Sequence, residues 1–327
     1  MEFDPTTVFH VVLMAIVQGI AEFLPISSSG HLLVLGRLFT LPDVFTLSIL
    51  LHAGTLFSVL VFFAKDIVNV IARRPRAIAL VVVGTIPTVA VAFAIMHYAK
   101  FLESSRLMCG IGFFITAFML LTILRRYGQR SDHELYFEEV ARSSDDDDFE
   151  FDVSEPKSIE NSTFFDAIII GFIQGIAALP GISRSGATIS TALARRFSRE
   201  WAAEFSFYLS IPVIAGGACY EMLNVFKSAK AEGESFNLIE FFKNDPNMAL
   251  YLGGAVVSFI VGWLSLFSLM RLLKAGKLHY FAYWLIVVGV ACISWTVYDH
   301  WNVVADFWNN NETIQSILTR LPTAPGK

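Results

Sequence analysis

Two stretches of this chain set polar, reactive side chains inside apolar surroundings. The first is FLPISSSGH at residues 23–31, and the second is ALPGISRSGAT at residues 178–188. Each joins a proline to small hydroxyl side chains and a glycine. Proline ends a helix. A new helix starting after it would turn free N–H groups and its positive dipole end into the loop. Two such ends, ringed by hydroxyls, make an anion site, above all one for phosphate. Arg184 lies in the second loop, where its planar fork suits a pair of phosphate oxygens. A structural pair with Glu22 or Glu204 is the alternative for it. Ser27, Ser29, Ser183, Ser185 and Thr188 are candidate phosphate ligands, or else ordinary helix caps.

The first loop adds groups that could do more than bind. Gln18 and Glu22 are one helical turn apart and share a face, as a pair of metal ligands would, although Glu22 could equally be a buried ion-pair partner. Ser28 and His31 flank the loop-to-helix junction and could act as nucleophile and base. The plainer role for His31 is a hydrogen bond at a helix end. His52 reads as structural, and Glu204 in AAEFSFYLSIP could face the same cavity.

The elements that hold these residues must lie in a membrane. Of 327 residues, 55% are hydrophobic and 16% charged, with mean hydropathy +0.58. Soluble domains carry about 25% charged residues. Six segments are long enough to span, near 45–64, 77–97, 107–124, 201–222, 249–270 and 279–297. Two more, 8–24 and 164–179, stop at Pro25 and Pro180 and resume at 31–41 and 187–197. Each half is short, so each pair is expected to form a re-entrant helix–loop–helix hairpin. Basic residues set the orientation: Lys65, Arg73, Arg74 and Arg76; Arg125, Arg126 and Arg130; Arg271, Lys274 and Lys277. With these inside, both termini lie outside. The first hairpin then enters from outside and the second, flanked by Arg195, Arg196 and Arg199, from inside.

QGIAEFLPISSSG (18–30) falls without a gap on QGIAALPGISRSG (174–186), 156 residues later. One hairpin and three spans per half is an odd number of crossings. The second half is therefore expected upside down, and inverted repeats with broken helices build their site at the midplane. The expected fold class is an all-α polytopic membrane protein, with six transmembrane helices and two re-entrant hairpins in an inverted-topology repeat. Its parts are a first repeat (1–127), an acidic linker (128–162) that includes Asp145–Asp148, a second repeat (163–299) and an interfacial tail (300–327). The linker reads as cytoplasmic and partly disordered. The start, MEFDPTTVFH, lacks the basic region of a cleaved signal, so the first apolar segment is expected to be retained. Cys109, Cys219 and Cys292 lie in apolar segments and read as packing residues. No basic patch with interleaved aromatics suggests nucleic acid as a partner.

QGIAEFLPISSSGH resembles the first motif of the undecaprenyl-pyrophosphate phosphatase family of bacitracin resistance proteins, and LPGISRSGAT resembles its second, PGxSRSxxT. AAEFSFYLSIP is similar to the stretch that follows. The resemblance implies a bacterial inner-membrane hydrolase that removes one phosphate from undecaprenyl pyrophosphate. Its product is the lipid carrier for peptidoglycan and other wall polymers, and the activity confers bacitracin resistance. The resemblance also implies a divalent cation, Mg²⁺ or Ca²⁺. By position, Glu22 is the motif acid, Ser28 the candidate nucleophile, His31 the motif histidine and Arg184 the essential arginine. Gln18 stands where many members have Glu, which removes a charge from the metal pair Gln18 and Glu22.

The expected mechanism has Glu22 and Gln18 holding the cation, Arg184 on the phosphoryl group, and Ser28 attacking with His31 as base. His31 activating water directly fits as well. The site is expected to open to the outer, periplasmic side. Partners are the isoprenyl pyrophosphate, membrane lipid and, as an assembly, a homodimer. The rival reading is a lipid-phosphate flippase, since inverted repeats are a transporter architecture. An intramembrane serine protease is disfavoured, because no GxSxG elbow is present.

Overall fold

A computed structural model describes residues 4–39, 41, 43–127, 156–231 and 246–310. Helices α1 (Pro5–Phe23), α2 (Ser28–Leu38), α3 (Val44–Phe62), α4 (Ala64–Arg73), α5 (Pro75–Tyr98), α6 (Lys100–Glu103) and α7 (Arg106–Tyr127) form the first half. The second half contains α8 (Phe164–Ile176), α9 (Arg184–Ala194), α10 (Arg199–Ala231), α11 (Met248–Lys274) and α12 (Tyr280–Asn310). The only β pairing among the described residues is one isolated bridge, Lys157 with Phe197.

Six helices are long and apolar enough to cross a bilayer: Pro5–Phe23, Val44–Phe62, Pro75–Tyr98, Arg199–Leu223, Met248–Lys274 and Tyr280–Trp301. Five match the sequence expectation. The sixth corrects it. The segment read as a short half-helix from residue 8 starts instead at Pro5, with Asp4 accepting the Thr7 N–H and proline at the first helical position. At 1.5 Å per residue its 19 residues reach about 28 Å. The expected span at 107–124 lies on α7, whose apolar part, Arg106–Thr122, is slightly shorter than the six.

The molecule is built for an apolar solvent. Large apolar side chains face outward, among them Ile86, Phe118 and Val287, while Thr55, Ser58, Thr116 and Ser258 are buried. Buried hydroxyls tie the helices together: Ser58 donates to the Phe259 carbonyl (2.8 Å) and Ser258 to the Leu51 carbonyl (3.0 Å). Without water between the helices, such bonds and close packing hold the bundle. The packing is exchanged between the halves. Helix α1 lies against α11 and α8 against α5, and α7 pairs with α12. Gly19 and Gly175 occupy matching positions in these contacts. A Cβ on Gly19 would meet the Ser258 carbonyl and Val261, and one on Gly175 the Thr88 carbonyl and Val91.

Cys109 and Cys292 are buried, as packing residues should be, whereas Cys219 is exposed on the apolar exterior. Most of the expected linker, 128–155, lies outside the described residues. Its last residues are pinned, with Lys157 bonded through its backbone to Arg196 and Ser198. Helix α12 runs unbroken past residue 300, and the remainder of the expected tail, 311–327, lies outside the described residues.

Candidate active site

Both breaks form where the sequence put them. Leu24 is forced into an extended conformation by Pro25 (φ −68°, ψ 145°), which ends α1. Ser27 then caps α2, its Oγ accepting the Gly30 N–H at 3.3 Å. In the second loop Gly181 adopts φ +85°, open to glycine at little cost, and a Cβ there would strike the Cys109 carbonyl. Ser183 caps α9 by accepting the Gly186 N–H at 3.1 Å. The first backbone N–H groups of α2 and α9 have no acceptor inside their own helices.

The two loops meet at Glu22. Arg184 forms an ion pair with Glu22 Oε1. Oε2 accepts hydrogen bonds from Ser28 Oγ (2.6 Å) and Gln18 Nε2 (3.1 Å), and His52 Nε2 lies 4.0 Å away. Glu22, Ser27, Ser28, Ser29 and Arg184 line one cavity of about 250 Å³. Ser185 and Thr188 line a narrower cleft on the other side of the Glu22–Arg184 pair. Ser183 borders neither: its Oγ serves the cap and its N–H donates to Thr116 Oγ1. Thr188 donates to the Arg184 carbonyl (2.8 Å), which steadies the arginine backbone.

His31 is not brought to Ser28. Its Nδ1 donates to the Ser27 carbonyl (2.8 Å), and its Nε2 accepts the Trp284 indole N–H (3.1 Å). Both ring nitrogens are engaged, and Ser28 turns to the Glu22 carboxylate instead. Glu204 lines neither the cavity nor the cleft.

Several cavity residues escaped the sequence reading. His52, taken as structural, donates from Nδ1 to the Ser48 carbonyl (2.8 Å) and turns Nε2 to the cavity. Glu221 and Gln174 line the same space, and Ser206 and Ser210 line the cleft. Gln174 was legible as the repeat partner of Gln18. Glu221 had a signal too, as a carboxylate within an apolar span.

Among the described residues no three His, Cys, Asp or Glu side chains form a preformed metal shell. Gln18 Oε1 is nevertheless buried with no hydrogen-bond partner, beside the Glu22 carboxylate. An amide oxygen and a carboxylate fit a hard cation that takes its remaining ligands from phosphate and water.

Taken together, the apolar helices and an arginine–carboxylate–serine cluster where the two loops meet define a multi-pass membrane protein with an internal polar cavity. Residues 11–291 match the family model for the bacitracin resistance protein BacA, and the chain belongs to that family. It is 34% identical to an undecaprenyl-diphosphatase of Carboxydothermus hydrogenoformans over 288 residues, covering 87% of this chain and 96% of that one. An undecaprenyl-diphosphatase of Rhodopirellula baltica is 33% identical (87% and 96% covered), and one of Korarchaeum cryptofilum is 31% identical (87% and 98%).

Proposed function

We propose that this chain is an undecaprenyl-diphosphatase. It hydrolyses undecaprenyl pyrophosphate to undecaprenyl phosphate and inorganic phosphate, which recycles the lipid carrier and so confers bacitracin resistance. The observation that carries the reading is the Glu22 carboxylate, shared between Arg184 and Ser28 in one cavity. Family membership and the diphosphatase relatives favour hydrolysis over the flippase.

Arg184 is held by Glu22. A pyrophosphate offers the guanidinium a stronger anionic partner, so Arg184 swings to the terminal phosphoryl oxygens. The α2 and α9 N-termini complete the anion cradle. Ser28 already donates to Glu22 Oε2. Glu22 therefore takes its proton as Oγ attacks the terminal phosphorus, and the P–O bond to the lipid phosphate breaks. Water then cleaves the phosphoserine, releasing phosphate and returning the proton to Ser28. Glu22 and Gln18 would hold the Mg²⁺ or Ca²⁺, which when bound offsets charge on the pyrophosphate. His31 acts by position, fixing the Ser27 carbonyl and so the loop.

We also read α1–α2 and α8–α9 as re-entrant hairpins of an inverted repeat. The same cap and the same serine–serine contact (3.3 Å) occur in both loops, and the exchanged packing of the halves supports the reading. With the basic clusters inside, we read the chain as an inner-membrane protein with both termini outside. The cavity lining reaches Ile49 and Glu221, toward the outer ends of α3 and α10 in that orientation, which favours access from the periplasmic side.

The test is phosphate release by the purified protein in detergent, where transport has no meaning, from undecaprenyl pyrophosphate with Mg²⁺. One phosphate per lipid is expected, and EDTA should abolish release. No release from any isoprenyl pyrophosphate with any divalent ion would sink the proposal.

A further inference from the structure

The cavity has a second polar wall that the mechanism does not use. Glu221 on α10 lines it within a membrane-crossing helix, and His52 on α3 lines the same cavity. Gln174 lines it from α8. The Gln174 amide N–H groups donate to the Leu209 carbonyl (3.3 Å) and to Thr88 Oγ1 (3.4 Å). Its Oε1 is left buried with no hydrogen-bond partner, in a residue only 3% exposed. An orphaned acceptor at membrane depth is costly, and the cavity that Gln174 lines is also lined by the Glu22 and Glu221 carboxylates.

The first wall is short of charge for a divalent cation. Glu22 is its one carboxylate, and Gln18, fully buried beside Glu22, does not line the cavity. Affinity for a hard cation rises with the number of charged oxygen ligands. We infer that Glu221 supplies the second carboxylate for the divalent cation of this chain, across the cavity from Glu22, with Gln174 Oε1 as a neutral ligand. The inference rests on the diphosphatase reading, and it assigns a cation role to residues outside both sequence motifs. Because no three acidic or imidazole groups are preassembled among the described residues, the site closes on the ion together with phosphate oxygens.

The probe is Mn²⁺, titrated into the full-length protein in detergent and followed by the electron paramagnetic resonance of the free ion. Glu221→Gln should weaken Mn²⁺ binding about tenfold or more. Gln174→Met, similar in size but without the oxygen, should weaken binding about threefold and serves if Glu221→Gln does not fold. Unchanged Mn²⁺ affinity in folded Glu221→Gln, or failing that in Gln174→Met, overturns the inference. If wild type is then active on undecaprenyl pyrophosphate, the diphosphatase reading survives that result. If wild type binds Mn²⁺ through Glu221 yet hydrolyses nothing, the reading of function fails while the cation site stands.

Discussion

The two loops share one frame and carry different chemistry. At the offset of 156 residues, Ser27 matches Ser183, Ser29 matches Ser185, and Gly30 matches Gly186. Each first serine caps its helix and contacts the second serine at 3.3 Å. The reactive positions diverge. Ser28 faces its counterpart Arg184 across one carboxylate, Glu22, whose own counterpart is Ala178. His31 corresponds to Ala187. In the proposed mechanism, one of these two similar loops reacts and the other holds charge. The frame is what both halves need, a capped helix N-terminus, and only the side chains on it have specialised.

The division can be broken at its contact point. Arg184→Ala and Glu22→Ala should each lower kcat/KM at least about a thousandfold, the scale of a lost transition-state charge contact. Arg184→Lys should recover little, because a point charge does not replace the fork. Measurable activity in Arg184→Ala above about a tenth of wild type would mean that the second loop only supports the first.

The open ends of the two hairpins differ in the same paired way. His10 and Phe39 stack at 4.1 Å where α1 and α2 are farthest from the loop. Their counterparts are Asp166 and Arg195, an ion pair at 2.7 Å to which Lys157 adds a second bond at 2.7 Å. Asp166 is fully buried, whereas the Lys157 and Arg195 side chains keep 20% and 35% exposure. Asp166→Asn leaves two cations without their partner and should cost about 2–3 kcal/mol, at the low end for a broken buried pair given that exposure. His10→Ala should cost under about 1 kcal/mol, the worth of one ring contact. Thermal unfolding in detergent compares the two. Equal losses would show that the second hairpin is not the more tightly fastened.

The loops, the repeat and most spans were legible because proline breaks and apolar length act locally. Pro25 and Pro180 leave a mark that needs no tertiary information. Partnerships were not legible. Ser28 and His31 are three residues apart, but the ring is claimed by Trp284, 253 residues away. His52 is unremarkable in its own segment, and it and Glu221 gain a shared meaning only when α3 and α10 close one cavity. The start of α1 was missed because Asp4 and Pro5 extend the helix beyond its apolar run.

Trp284 sharpens the role of His31. If the histidine only positions its loop, Trp284→Phe and His31→Asn each remove about one hydrogen bond's worth of order. Both should then lower kcat by about fivefold to tenfold, with little change in KM. A His31→Asn loss of a hundredfold or more, beside a nearly normal Trp284→Phe, would return the ring to the chemistry as a proton acceptor.

The smallest effect lies in the backbone. Ser27 holds φ +68°, a left-handed conformation rare for a residue with a side chain, while Ser183 sits at a relaxed φ −74°. Such strain is worth about 1 kcal/mol or more, and losing a serine cap to glycine costs only a few tenths. Ser27→Gly should therefore leave stability unchanged or raise it by under about 1 kcal/mol, while Ser183→Gly should lower it slightly. Activity should move the other way in Ser27→Gly, falling severalfold, because a glycine there frees the turn that aims Ser28 at Glu22. If Ser27→Gly is both more stable and fully active, the strain is incidental to catalysis, and the two loops differ only in their side chains.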